Sequence, residues 1–245
     1  MHILEGKGLT KYFGGLAAVS EVDFYVDQGE VVGLIGPNGA GKTTLFNLIS
    51  AAEVPRSGMV IFKGKNITGL RRDKICRMGI ARTFQMVKIF SNMSVLENVR
   101  VGAFFGPPKS ASPAQATKEA IELLEFVGLS MTSDSPAKDL TLVNQKRLEV
   151  ARALATKPEL LLLDEMMAGL NQTEITQAMD LVRQIRGKGI TIVMIEHVMK
   201  AVMNVCDRII VLNYGKKIAE GTPQEIVNSK TVIEVYLGEQ PNAGS

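Results

Sequence analysis

GPNGAGKT, residues 36–43, decides how this chain folds, because it has the spacing G-x-x-x-x-G-K-[ST] of a phosphate-binding loop. Gly36, Gly39 and Gly41 stand where backbone N–H groups must converge on one anion, a concavity that side chains would obstruct. Pro37, Asn38 and Ala40 fill the positions between them. Lys42 supplies a point charge suited to β- and γ-phosphates, and the Thr43 hydroxyl is a hard oxygen ligand for Mg²⁺. The stretch TTLFNLIS that starts at Thr43 and includes Thr44 reads as a helix, whose N-terminal dipole favours the same phosphates. An apolar run, VVGLIG at 31–36, comes just before. Strand, glycine loop and helix in that order imply a nucleoside triphosphate site.

Composition sets bounds around this loop. The chain has 245 residues, 46% of them hydrophobic and 22% charged, enough for one globular domain with a subdomain. A net charge of +3 does not argue for nucleic acid as a partner. Cys76 and Cys206 lack metal-type spacing and read as free thiols of a reducing compartment, with a buried structural role. The N-terminus lacks the layout of a signal peptide, and no apolar run approaches the ~20 residues that span a bilayer. The longest run, LLLLDEMMAGL, is broken by Asp164 and Glu165. A soluble or peripheral protein is expected.

Along the chain, residues 2–28 hold two alternating stretches, expected as a hairpin. Phe13 could stack on a base face or serve as a core aromatic on a strand. RSGMVIFKGKNITG (56–69) reads as a second hairpin, and 70–80 as a short amphipathic helix with a solvated basic face. Gln85 closes a strand-like stretch, and Ser94 with Glu97 forms a capping-box start to a helix. Residues 106–117, rich in Pro, Ala and Ser, mark an exposed link. KEAIELLEFVGL is an amphipathic helix ending at Gly128, and another helix runs from near Thr141 to just before Pro158. ELLLLDE (159–165) is a wholly apolar strand of the parallel type, ending in two carboxylates at the mouth where such sheets bind ligands. Helix 172–187, strand 190–197, helix 198–206, strand 208–215 and a final turn and helix complete an α/β alternation.

Triphosphate hydrolysis needs a phosphate cradle, a Mg²⁺ site, a positioned water and groups that neutralise developing charge. Asp164 suits Mg²⁺ through a water, and Glu165 suits a general base. His197 could contact a γ-phosphate or be a satisfied structural residue. Gln85 could bind the attacking water and Mg²⁺, or cap a loop.

The order KYFGGLAAV, GPNGAGKT, RTFQ, a helical segment, LTLVNQKRLEVARAL, LLLLDE and IEH resembles the ATPase subunit of an ABC transporter over nearly the whole chain. KYFGGLAAV, ARTFQMVKIFSNMSVLENVRVGAFF and CDRIIVLNYGKKIAEGTPQEIV, with VIEVYLGE at the end, resemble the ATPases of branched-chain amino acid importers. The resemblance implies a single ABC ATPase domain: a P-loop NTPase core with a mostly parallel sheet and an antiparallel β subdomain (1–94 and 157–245), plus an inserted helical subdomain (95–156). It implies ATP and Mg²⁺ as ligands, Phe13 as the adenine-stacking aromatic, and residues 36–44 as the phosphate and Mg²⁺ loop. Gln85 would sense the γ-phosphate, Asp164 would belong to the Mg²⁺ site, Glu165 would activate water, and His197 would be the switch histidine. Residues near 86–99 would receive a helix of two membrane permease subunits. The chain would sit peripherally on the cytoplasmic face of the membrane, with a periplasmic or extracellular solute-binding protein as an indirect partner.

In such proteins ATP is sandwiched between two subunits, each lending a signature loop, Leu-Ser-x-Gly-Gln, to the other. Here that loop is Leu140, Thr141, Leu142, Val143 and Asn144, so Thr141, Val143 and Asn144 would contact nucleotide in trans. Val143 replaces a glycine with a β-branched side chain. Met166 follows the acids in place of proline, and Asn171 stands where many members have aspartate. Val143 points either to pairing with a different ATPase subunit, the favoured reading, or to a tolerated variant in a homodimer. An exporter ATPase of the lipopolysaccharide-extracting type is the nearest alternative. A soluble ABC switch protein is a further one.

Overall fold

The computed structural model describes residues 1–105 and 112–237. Part of the expected 106–117 link, and the chain from 238 onward, lie outside the described residues. Two compact units make up the chain: Met1–Gly69 with Val193–Ser245, and Leu70–Ile192.

The first unit opens with β1 (His2–Phe13) and β2 (Leu16–Asp27), an antiparallel hairpin turning at Gly14, whose φ is +59°. Val22, Phe24 and Val26 are buried while Asp23 and Tyr25 face out, the period-2 pattern expected of a half-buried strand. β3 (Val31–Ile35) is buried along its whole length and leads into α1 (Lys42–Ile49). Leu45, Phe46, Leu48 and Ile49 turn the inner face of α1 into core. β4 (Ser57–Phe62) and β5 (Lys65–Asn66) form the second hairpin and complete an antiparallel sheet in the order β2-β1-β4-β5.

The second unit starts with α2 (Arg72–Arg77), which buries only Ile75 and leaves its arginines solvated as expected. β6 (Ile80–Arg82) follows, then a stretch without regular structure, then α3 (Val95–Phe105). The capping box at the head of α3 is present: Glu97 N–H donates to Ser94 Oγ at 3.1 Å and Ser94 N–H to Glu97 Oε2 at 2.8 Å. α4 (Pro113–Phe126) stops before Gly128, φ +76°. α5 (Leu142–Ala155) crosses α3 closely, because a Cβ at Gly102 would lie 2.3 Å from Arg152 O. β7 (Leu160–Asp164) pairs parallel with β6, and its four leucines are fully buried. Each such leucine contributes roughly 1.5–3 kcal/mol by leaving water. α6 (Gln172–Gly187) starts on a capping box in which Asn171 accepts from Glu174 N–H at 3.0 Å. Asparagine therefore supplies the capping oxygen here as well as aspartate would.

The chain returns to the first unit along β8 (Thr191–Ile195). α7 (Met199–Val205), β9 (Arg208–Asn213), β10 (Lys216–Gly221), α8 (Pro223–Val227) and α9 (Lys230–Leu237) follow. β9 pairs parallel with β3 and antiparallel with β10, in a mixed sheet separate from the antiparallel β2-β1-β4-β5 sheet. Arg208 fixes the start of β9 through two bonds to Glu30, at 2.8 and 2.9 Å, a pair with Glu220, and its guanidinium 4.1 Å over the Tyr25 ring. Burial, with Asp207 and Glu196 nearby, pushes the Cys206 thiol up to about 12, which makes it the inert core thiol expected.

Several expected boundaries shift: α4 begins at Pro113, inside the expected 106–117 link, with Ser112 as its cap, and the strand expected over 208–215 ends at Asn213. The strand expected over 190–197 ends at Ile195, which leaves His197 beyond it in a bend. The strand expected over 159–165 ends at Asp164, because Glu165 takes a left-handed conformation, φ +49°, that breaks the pleat.

Candidate active site

The glycine loop belongs to the first unit, between β3 and α1. A Cβ at Gly36 (φ +149°) would lie 2.1 Å from Leu212 O, and one at Gly41 (φ +102°) would lie 2.2 Å from Ala18 O. Both positions therefore demand glycine on space as well as conformation. Gly41 is also the N-cap of α1 and brings no side chain to the N–H groups of the first turn. Those donors, on Lys42, Thr43 and Thr44, make the helix start an anion site. Lys42 is buried, with Nζ donating to Gly36 O at 2.6 Å and Pro37 O at 2.8 Å, so its charge is already at the loop. Asn38, Gly39 and Thr43 are exposed and Ala40 is buried. Phe13 ends β1 with its ring 48% exposed and Lys11 Nζ 5.3 Å from the ring centroid, which removes the core-aromatic reading. His197 is exposed in the same unit.

The acids belong to the second unit. Asp164 is 2% exposed, and its Oδ2 accepts from Arg82 Nη2 at 2.7 Å. Asp164 N–H donates to Thr83 Oγ1 at 3.1 Å. Parallel pairing of Arg82 with Leu162 brings that cation alongside the acid. Gln85 and Glu165 come together: Gln85 Nε2 donates to Glu165 Oε2 at 3.0 Å. Thr141 caps α5 by accepting from Asn144 N–H at 3.4 Å. Val143 and Met166 line one small cavity with Leu170, Ala178 and Leu181 and with the charged Lys146, Arg147 and Glu174.

Sequence reasoning passed over three charged residues on α5. Lys146 is 8% exposed and donates from Nζ to Ala168 O at 2.6 Å and Glu165 O at 3.2 Å. Glu149 is 3% exposed and accepts from Lys88 N–H at 3.2 Å; burial raises its carboxyl above the usual range. Arg152 bonds Lys88 O and lies 5.2 Å over the Phe90 ring. Their spacing of three residues on a helix that otherwise buries apolar side chains was the available signal. Arg82 and Thr83 were passed over too, although RTFQ contains both.

Among the described residues no group of three or more His, Cys, Asp or Glu forms a metal cage. The Thr43 hydroxyl and the Asp164 carboxylate are hard oxygen donors of the kind that Mg²⁺ takes beside a triphosphate, where it keeps several waters. A glycine cradle at a helix start, a buried lysine on it, and an acid pair with a glutamine on the second acid are the parts of a nucleotide hydrolase of the P-loop class.

The ABC transporter family profile matches residues 19–168, and the chain belongs to that family, whose members hydrolyse ATP to drive transport. A profile of the branched-chain amino acid ATP-binding cassette transporters matches residues 216–241. The chain is 42% identical to the high-affinity branched-chain amino acid transport ATP-binding protein LivG of Escherichia coli, over 97% of this chain and 98% of that one. It is 34% identical to the lipopolysaccharide export system ATP-binding protein LptB of Haemophilus influenzae, over 98% and 99%. Among solved structures, the ADP conformation of MJ1267, an ATP-binding cassette of an ABC transporter, aligns with a TM-score of 0.87. That match has 33% identity and covers 98% of this chain and all of the other.

Proposed function

We propose that this chain is the ATP-hydrolysing subunit of an importer of branched-chain or related amino acids. The hydrogen bond from Gln85 to Glu165 is the observation that carries the chemistry, because it ties the γ-phosphate-sensing glutamine to the acid that would take a proton from the attacking water. The glycine loop, Lys42 and the first turn of α1 would hold the phosphates, Phe13 would stack on the adenine, and His197 would meet the γ-phosphate. Thr43, Gln85 and Asp164 would hold Mg²⁺, which when bound neutralises charge on the phosphate oxygens. Higher identity to LivG than to LptB, together with the match over 216–241, supports amino acid import over the export reading.

No helix among the described residues is long and apolar enough to cross a membrane. The chain would act peripherally at the cytoplasmic face of the membrane, against two permease subunits, with the solute-binding protein reached only through them. Phe84, Met86 and Phe90 are 37%, 80% and 46% exposed, an apolar group suited to a permease helix. Thr141, Val143 and Asn144 would face the nucleotide of a second ATPase, and Val143 favours a partner with a different signature over a second copy.

Size-exclusion chromatography of Glu165→Gln with Mg·ATP, alone and mixed with candidate partner ATPases, tests the pairing. A dimer only in the mixture supports the heterodimer, and a dimer from this chain alone supports a symmetric pair. No dimer under either condition counts against the transporter sandwich.

A further inference from the structure

Glu165 is held at both of its ends. Its carboxylate accepts from Gln85 Nε2 at 3.0 Å, while its carbonyl accepts from Lys146 Nζ and from Ala168 N–H, each at 3.2 Å. The same ammonium donates to Ala168 O at 2.6 Å. Lys146 therefore grips the 165–168 turn at its first and last residues. The turn needs a grip, because Glu165 keeps φ at +49°, a conformation that a non-glycine residue holds only where its surroundings over-determine it. Lys146 itself is 8% exposed, and a buried ammonium is tolerated only with charge-assisted hydrogen bonds of this kind. A small cavity beside the turn is walled by Lys146, Glu149, Thr83 and Asp164, so the clamp sits next to both acids.

We propose that Lys146 is the positioning residue for Glu165: its ammonium, clamped on the Glu165 and Ala168 carbonyls, sets the turn that aims the Glu165 carboxylate at the attacking water. This rests on the reading of Glu165 as the water-activating acid. Lys146 lies on α5, whose first turn carries Val143 and Asn144. The clamp thus ties the aim of Glu165 to the position of the helix that would contact the second nucleotide.

Steady-state ATP hydrolysis by the full chain, with ATP binding and melting temperature recorded in parallel, tests this on Lys146→Met, Lys146→Arg and Glu165→Gln. Lys146→Met keeps the aliphatic stem and removes the donors. It should lower kcat by about tenfold or more with KM for ATP within about twofold, since a misplaced catalytic group costs rate rather than binding. Lys146→Arg, which keeps charge and donors, should recover much of that loss. A Lys146→Met kcat within about twofold of wild type overturns the proposal. So does an equal loss in the Met and Arg variants, since it would mark packing rather than donation. Should Lys146→Met fail to fold, Lys146→Leu, which likewise has no donor, is read in its place by the same criteria. Glu165→Gln should abolish turnover while ATP binding persists; wild-type turnover there sinks the reading of Glu165 itself, whatever the lysine variants do.

Discussion

Arg82 donates from Nη2 to Asp164 Oδ2 across 2.7 Å, with the two side chains only 9% and 2% exposed. Their strands are parallel neighbours, so the arginine enters from β6 and offsets an acid that β7 has carried out of water. Arg82→Met should destabilise the fold by about 3–5 kcal/mol in urea unfolding, because it strips the offsetting charge from a buried carboxylate. Adding Asp164→Asn should recover a large part of that loss. A single-variant loss below about 1 kcal/mol would show that the pair behaves like an exposed ion pair.

The glycines of the loop should differ in cost. Gly39→Ala faces open space at φ +78° and should cost about 1–2 kcal/mol for the left-handed backbone alone. Gly41→Ala adds a Cβ only 2.2 Å from Ala18 O and should cost clearly more, with loss of nucleotide binding. Thermal unfolding with nucleotide titration of both variants decides it; equal losses would contradict the clash.

Burial raises the Glu149 carboxyl above its ordinary value of 4.5, against the Lys88 and Phe84 N–H groups and the Arg152 and Lys146 charges. The folded state therefore keeps this proton to a higher pH than the unfolded chain does. Its stabilising contribution is full below the ordinary value and is lost as pH rises from there through the raised one. Glu149→Gln keeps an acceptor for Lys88 N–H and removes the titration. Urea unfolding of both proteins between about pH 4 and 8 should show wild type losing ground to the variant as pH rises. Parallel curves would mean that folding leaves the Glu149 carboxyl at its ordinary value.

Asn171 and Glu174 share a reciprocal cap at the head of α6. Asn171→Ala should cost about 1 kcal/mol, and Asn171→Asp should fall within about 0.5 kcal/mol of wild type, since both side chains accept from the same N–H. Guanidinium unfolding midpoints of the three proteins test this. A neutral alanine variant would show that the cap is dispensable.

Much of the fold was readable from local pattern. The alternation in Val22–Val26, the unbroken leucines of 160–163 and the Ser94–Glu97 box each report a backbone state through residues close in sequence. The acids were found for the same reason: a carboxylate straight after four leucines is conspicuous. Lys146, Glu149 and Arg152 escaped because charges on a helix usually face water, and nothing within α5 reveals which loop lies against them. The end of β7 was misjudged by one residue, since the left-handed turn at Glu165 is set by contacts far along the chain.

The sequence by itself determined the class of the protein, the loop that would hold phosphate, and the identity of the acids, because backbone conformation and phosphate chemistry demand particular residues at short spacings. Only the tertiary structure decided that Arg82 offsets Asp164, that Gln85 bonds Glu165, and that Lys146 clamps the turn behind it. Such pairs join residues 19 to 82 positions apart. Whether a buried charge has a partner depends on which surfaces meet, and that follows from packing rather than from any local run of residues.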